Sequence, residues 1–340
     1  MTDPIALTGA PGSPYTRKML AVLRYRQIAY RFMLPNNPAL GDLPRPKVQL
    51  LPTFFLADDS GQLQAVTDST PLIRRFETAY AGRSLIPNEP GLAFFNELIE
   101  DYADEWLTKA MFHYRWAYQD DIAKAAAILP CWRGFTTPDA ALAQAGAMFS
   151  ERQIGRLRYV GSNRVTGPVI EASYHRFLTA FEDHLRCFPY LMGRRPGSCD
   201  FAVFGQLTQL AEFDPTPAAL TLKTAPRVTA WTGMMEDLSG LEPNEDDWIS
   251  TDAIPETLMT LLSEIGRVYP PVMLANARAV QAGAQEVRAE VDGQPWTQQP
   301  FPYQAKCLGW LREAHAALSE ELRPQVDAVL ARTGLSGLFE

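Results

Sequence analysis

The chain has 340 residues, 46% of them hydrophobic and 21% charged, which suits a soluble protein with a sizeable core and room for two or three domains. Its net charge of −8 argues against nucleic-acid binding, which needs a concentrated basic face. No apolar run approaches the ~20 residues of a membrane span, and Met1-Thr2-Asp3-Pro4 does not read as a secretory leader, so the expected location is the cytoplasm.

In chain order, 5–7 reads as a first strand, 14–26 as a helix and 29–33 as a second strand. The helix start is strong: Ser13 can accept from the free amides of the first turn, and Pro14 has no amide to lose. The segment 35–47 holds four prolines, so any helix there is short. Strands over 53–56 and 63–66 form a hairpin across Asp58-Asp59-Ser60-Gly61, and a helix follows over 69–80.

Ser13-Pro14-Tyr15-Thr16 overlays the glutaredoxin C-P-Y-C turn with both cysteines replaced by hydroxyls, and from these residues the chain resembles the glutathione S-transferase superfamily. Serine cannot form the mixed disulfide of thiol exchange, so what is left is a hydrogen-bond donor for another molecule's thiolate. Leu50-Leu51-Pro52-Thr53 resembles the family's cis-proline segment, in which the backbone of the residue before proline meets the cysteinyl part of glutathione. Thr67-Asp68-Ser69-Thr70-Pro71 resembles the acidic-serine signature that binds the γ-glutamyl end. Each segment also has a plain reading: Ser13 as a helix cap, Pro52 as a trans proline at a strand start, and Asp68 and Ser69 as caps of the next helix. Their joint order carries the resemblance.

The resemblance implies an α/β thioredoxin-like N-terminal domain over 1–82 and an all-α substrate domain over 90–240. It also implies a glutathione transferase in which the serine hydroxyl of Ser13 activates the thiol for attack on a small hydrophobic electrophile, as in detoxification. A charge-assisted hydrogen bond of about 1.5–3 kcal/mol corresponds to a thiol pKa lowered by roughly one to two units. Leu51, Pro52, Asp68 and Ser69 would bind glutathione as co-substrate, with Tyr15 as a fallback donor. The family further implies a homodimer. A glutathione-dependent lyase or isomerase, and a non-catalytic scaffold of the same fold, are alternatives.

Beyond residue 90, 94–116 reads as one long helix that in the family lines the second-substrate pocket. Tyr15, His113, Tyr114 and Trp116 are therefore candidate lining residues, although an aromatic helix face also suits a plain core. The four cysteines and four histidines show no ligand spacing, so no metal is expected. Residues 197–202 look like the family's capping box and core helix, with Gly197 where serine or threonine is usual. The remaining stretch, 241–340, reads as helices over 255–268 and 271–281 broken at Pro270-Pro271, then a hairpin turning at Asp292-Gly293, then helices over 303–319 and 324–331. It could be a lid over the glutathione cleft, a dimer element or extra scaffold, and is expected first as scaffold packed on the helical domain.

Overall fold

Strand β1 (Ile5–Thr8) is nearly all buried and sits inside a four-stranded sheet of order β2-β1-β3-β4. It runs parallel to β2 (Tyr30–Met33), with Leu7 opposite Phe32, and antiparallel to β3 (Thr53–Ala57), with Leu7 opposite Phe54. β4 (Leu63–Val66) closes the hairpin on β3. The Asp58 carboxylate organises its turn by accepting from the Ser60 and Gln62 amides. Helices α1 (Pro14–Tyr25) and α2 (Ser69–Ala79) complete a thioredoxin-like α/β unit, and the proline-rich connection carries only a short 3-10 turn, Pro38–Asp42. This is a computed structural model that describes residues 3–340; Met1 and Thr2, the first residues of the expected N-terminal domain, lie outside it.

The rest of the chain is mostly helical. α3 (Pro90–Tyr102) continues without a break through a π-helical segment, Ala103–Leu107, into α4 (Thr108–Ala117), so the long helix expected over 94–116 is present. α5 (Gln119–Ile128) and α6 (Asp139–Ile154) precede α7 (Gly167–His184). α8 (Ser198–Leu207) starts after Gly197, and the Asp200 carboxylate keeps its own half of the capping box by accepting from the Gly197 amide, and also accepts from the Leu191 amide, each at 2.9 Å. A second π segment, Thr208–Phe213, leads to α9 (Pro215–Thr224) and α10 (Pro226–Met235).

The C-terminal stretch departs from expectation at one point. Pro270 and Pro271 do not break the helix; both lie inside one continuous α11 (Glu256–Gln281). An interior proline costs ~3 kcal/mol, but α11 buries Leu258, Leu262, Ile265, Val268, Tyr269, Val272 and Met273. At ~1.5–3 kcal/mol for each large apolar side chain, that burial outweighs two lost backbone bonds. β5 (Val287–Val291) and β6 (Gln294–Gln298) form the expected hairpin, with Asp292 and Gly293 both at positive φ, followed by α12 (Pro302–Ala316) and α13 (Arg323–Thr333). α11 packs on α7 and β5, while α12 and α13 pack on α11 and α3. A single hydrophobic cluster runs from Ile5 through the helices to Leu338.

The N-terminal unit is seated on the helices through α1 against α8, where Gly205 admits the α1 backbone. A Cβ at that position would stand 2.6 Å from the Pro14 carbonyl oxygen and 3.0 Å from Lys18 Cβ. Gly205→Ala is therefore expected to destabilise the protein by about 1–3 kcal/mol. Urea unfolding would read this as a lower midpoint at unchanged slope; an unmoved midpoint would mean that α1 and α8 can part freely.

Candidate functional site

Ser13 stands at the junction of β1 and α1, with the amides of the first helical turn pointing toward it. Its Oγ accepts from the Thr16 amide at 3.3 Å and donates to the Leu51 carbonyl at 3.3 Å. The Leu51–Pro52 peptide is cis. Ser13, Leu51 and Pro52 thus meet at one point, and Ser13 is a cap that also faces the proline loop. Both of its hydrogen bonds are long, so the hydroxyl can turn to a better acceptor at little cost. A hydroxyl donor at the positive end of a helix is suited to an anionic sulfur or oxygen.

Beneath this turn lies a buried charge network that the sequence did not reveal. The Lys18 ammonium donates to Glu100 Oε1 at 2.9 Å, Asp104 Oδ2 at 2.6 Å and Ser69 Oγ at 3.3 Å. Burial presses its pKa down, but the adjacent Asp104 and Glu100 charges outweigh this and hold it above the usual lysine value. Glu100 is the hub, accepting also from Thr70 Oγ1 at 3.0 Å, Ser198 Oγ at 2.6 Å and Arg74 Nη2 at 3.4 Å. Burial favours its neutral acid, yet Lys18 and Arg74 together with these donors carry its pKa down to about 2. Asp104 has fewer partners and a buried Oδ1 with none; burial raises its pKa to about 6 despite Lys18. One ammonium beside two carboxylates leaves charged the carboxylate with more donors, Glu100.

Asp68 and Ser69 sit at the start of α2. Asp68 has φ 86°, a left-handed value that costs a non-glycine residue of order 1–3 kcal/mol and persists only where its surroundings hold it. It occupies the N-cap position of α2, with no side-chain capping bond of good geometry, and the nearby Thr70 amide of the first turn favours its charged form. Its carboxyl faces the Tyr303 hydroxyl and the Lys306 ammonium of α12; burial raises its pKa against both, and against Lys18. Ser69 Oγ is fixed by Lys18, which leaves its own proton to offer. Next to it, Thr70, Glu97, Asp101, Asp104, Tyr303 and Cys307 line a cavity of about 20 Å³, space for about one water.

The other expected site residues are distributed differently. The Tyr15 hydroxyl donates to the Asp104 carbonyl at 2.8 Å and to Thr108 Oγ1 at 3.4 Å, so it docks α1 on the π segment. The hydrogen bonds and ring contacts of His113, Tyr114 and Trp116 stay within the helical layer. His113 contacts Ser162 and Glu171, Tyr114 stacks on Tyr118, and Trp116 meets Phe112 and Phe149. Arg115, between them, does reach the Ser13 turn. It donates from Nη1 to the Gly12 carbonyl at 3.0 Å, while its other nitrogens make a bidentate pair with buried Asp214 and hold Gln209 Oε1 at 2.7 Å. Gln209 Nε2 in turn donates to the Pro11 carbonyl at 3.2 Å. An arginine amid aromatic residues gave no signal of this role, because its acidic partner lies about a hundred residues away.

Residues 7–84 match the family model for the glutathione S-transferase N-terminal domain. Comparison with curated proteins gives no match. Among solved structures, a GST-like protein from Pseudomonas syringae is 17% identical with a TM-score of 0.40, over 69% of this chain and 67% of that one. A glutathione transferase family member from Pseudomonas fluorescens pf-5, with two glutathione bound, is 13% identical with a TM-score of 0.42, over 68% and 87%. The Tau class glutathione S-transferase MiGSTU from mango, Mangifera indica, is 16% identical with a TM-score of 0.41, over 76% and 98%. At such scores the weight falls on the match over residues 7–84.

The charge network gives a pH signature. Glu100 has a folded pKa of about 2 against an ordinary 4.5, so its stabilisation is complete above the ordinary value and is lost as pH falls from there toward 2. Glu100→Gln removes that share. Unfolding free energy measured by urea titration should then change less steeply with pH across this window than in the unsubstituted protein, and an identical slope would show that Glu100 is not the linked group.

Proposed function

We propose, from the match of residues 7–84 to the glutathione S-transferase N-terminal domain, that the chain binds glutathione along the line from Ser13 through Leu51–Pro52 to Asp68–Ser69 and activates the thiol with the Ser13 hydroxyl. The observation that carries this reading is the Ser13 Oγ to Leu51 carbonyl contact, which brings a hydroxyl donor, a helix N-terminus and a cis-proline loop to one place. In the bound state the Ser13 proton turns from the Leu51 carbonyl to the sulfur. A donor of about 1.5–3 kcal/mol to an ionised group favours the thiolate, and the α1 N-terminus adds ~0.3–1 kcal/mol. The thiol proton leaves to solvent as the thiolate forms; the thiolate sulfur then bonds to an electrophilic carbon of a small hydrophobic substrate as that carbon's bond to its leaving group breaks, and the leaving group departs with the electron pair.

At the other end, the Ser69 hydroxyl, already fixed by Lys18, offers its proton to the γ-glutamyl carboxylate. Asp68 receives the γ-glutamyl ammonium. Arg115 and Gln209 act from behind by holding the Gly12 and Pro11 carbonyls, which keeps the Ser13 turn in place. The division of the chain into units over 1–82, 90–240 and 241–340 belongs to the same reading.

A second reading, a non-catalytic binding or scaffold protein, is favoured by one observation: Tyr303 and Lys306 already face Asp68, where a γ-glutamyl group would lie. Calorimetric titration with reduced glutathione separates the two. Saturable binding is expected, weakened about five- to thirtyfold in Asp68→Ala by loss of a charge-assisted contact of about 1–2 kcal/mol. Ser13→Ala is expected to bind within a few-fold of the unsubstituted protein while its turnover with electrophiles falls about ten- to a hundredfold. Tyr303→Ala, which vacates the space over Asp68, should tighten binding. No heat of binding at millimolar glutathione in either the unsubstituted protein or Tyr303→Ala would decide for the scaffold.

A further inference from the structure

A second constellation lies in the helical layer; it includes His113, expected from the sequence at the second-substrate pocket, but none of the residues proposed to bind glutathione. His113 Nδ1 is 2.7 Å from Ser162 Oγ, and His113 Nε2 is 3.0 Å from Glu171 Oε1. The Tyr118 hydroxyl donates to the same Glu171 oxygen at 2.6 Å, which orients the carboxylate. Ser162 also lines an open cavity of about 280 Å³, shared with Arg158, Asn163, Glu286, Thr297 and Gln298. A hydroxyl, an imidazole and a carboxylate in series, with the hydroxyl at a cavity wall, is the arrangement of nucleophile, base and orienting acid recognised by geometry on unrelated folds.

We propose that Ser162, His113 and Glu171 form an acyl-transfer site that hydrolyses short-chain esters carried on a hydrophilic molecule. The local backbone is built for such a turn. Gly161 has φ 75°, and a Cβ there would stand 2.6 Å from the Trp296 ring, so a glycine must precede the serine on a tight bend against β6. Glu171 is held below the ordinary carboxylate range, first by its hydrogen bond with His113. An ionised Glu171 keeps the proton on Nε2 and leaves the Nδ1 lone pair facing the Ser162 hydroxyl.

The step balances. Ser162 Oγ bonds to the ester carbonyl carbon as its proton passes to His113 Nδ1. Collapse breaks the bond to the alcohol oxygen, which takes that proton and leaves. Water then attacks the acyl-serine by the same route, releasing the acid and restoring the serine proton. The Asn163 side chain is held through its Oδ1, which accepts from the Val165 and Thr166 amides at 2.9 and 3.1 Å, while its Nδ2 makes only contacts of 3.4–3.5 Å and is the donor for the carbonyl oxygen as it becomes negative. The lining side chains carry amides, two hydroxyls, the Arg158 guanidinium and the Glu286 carboxylate, with no large apolar side chain among them, which favours a polar carrier.

A fluorophosphonate probe, which phosphonylates a serine only where a neighbouring base takes its proton, tests this on the full chain. The expected result is one phosphonyl group on the peptide holding Ser162, with p-nitrophenyl acetate hydrolysed in a burst followed by slower turnover. Ser162→Ala abolishes both, and Glu171→Gln slows labelling by at least about tenfold. Ser13→Ala labels at the unchanged rate, which separates this site from the glutathione reading. A folded unsubstituted protein that takes no label, label mapped to another residue, or Glu171→Gln labelling at the full rate would each overturn the proposal. Circular-dichroism melting confirms that each variant is folded.

Discussion

The arrangement at the first site depends on one buried ion cluster. Glu100, on α3, accepts from Lys18 on α1, Thr70 and Arg74 on α2, and Ser198 at the start of α8. Its two oxygens thereby connect both helices of the N-terminal unit to two helices of the following region. A buried charge stripped of one partner costs about 3–5 kcal/mol, so none of the four helices can shift alone without exposing that cost. The glutathione reading needs this rigidity, because Ser13 lies at the start of the helix that carries Lys18, and Ser69 is itself bonded to Lys18.

Two π-helical segments serve the same end by a different route. A widened turn releases carbonyls and side chains that a regular helix would keep to itself, which is why such segments are common at functional positions. In Ala103–Leu107 the Asp104 and Glu105 carbonyls accept side-chain donors from Tyr15 and Gln304. In Thr208–Phe213 the side chain of Gln209 bridges Arg115 and the Pro11 carbonyl. Both segments therefore bear on the first turn of α1 and on the loop before it, the place where Ser13 is presented.

What the sequence made legible was the local chemistry of the first eighty residues. Ser13-Pro14 marks a helix start because a hydroxyl and a missing amide are both read locally, and the strand order follows from short apolar runs separated by turn residues. The Asp292-Gly293 hairpin was equally legible, since only a few residue pairs accept two successive positive φ values. The misses share a cause of another kind. Pro270–Pro271 reads as a break until the burial of α11 is known, and Lys18 and Arg115 carry no sequence signal of their roles until their distant carboxylates are placed. His113 was singled out for its aromatic neighbours, whereas its partners Ser162 and Glu171 lie far along the chain and share no motif with it. Long-range polar pairing has no periodicity for a sequence reading to detect.

The C-terminal stretch, expected as scaffold, touches both candidate sites. α12 directs Tyr303 and Lys306 at Asp68, and β6 supplies Thr297 and Gln298 to the cavity at Ser162. The same hairpin is pinned by Lys109, whose buried ammonium donates to Gln298 Oε1 at 3.1 Å from α4, the helix that carries His113. Trp296 reinforces the contact by packing on Trp106 and against Gly161. Removing the stretch would therefore uncover the hydrophobic face of α3 and α7 and take away one wall from each site. Its packing and its contribution to chemistry use the same side chains, so the extension is a working part of both sites and the term scaffold describes only its stabilising share.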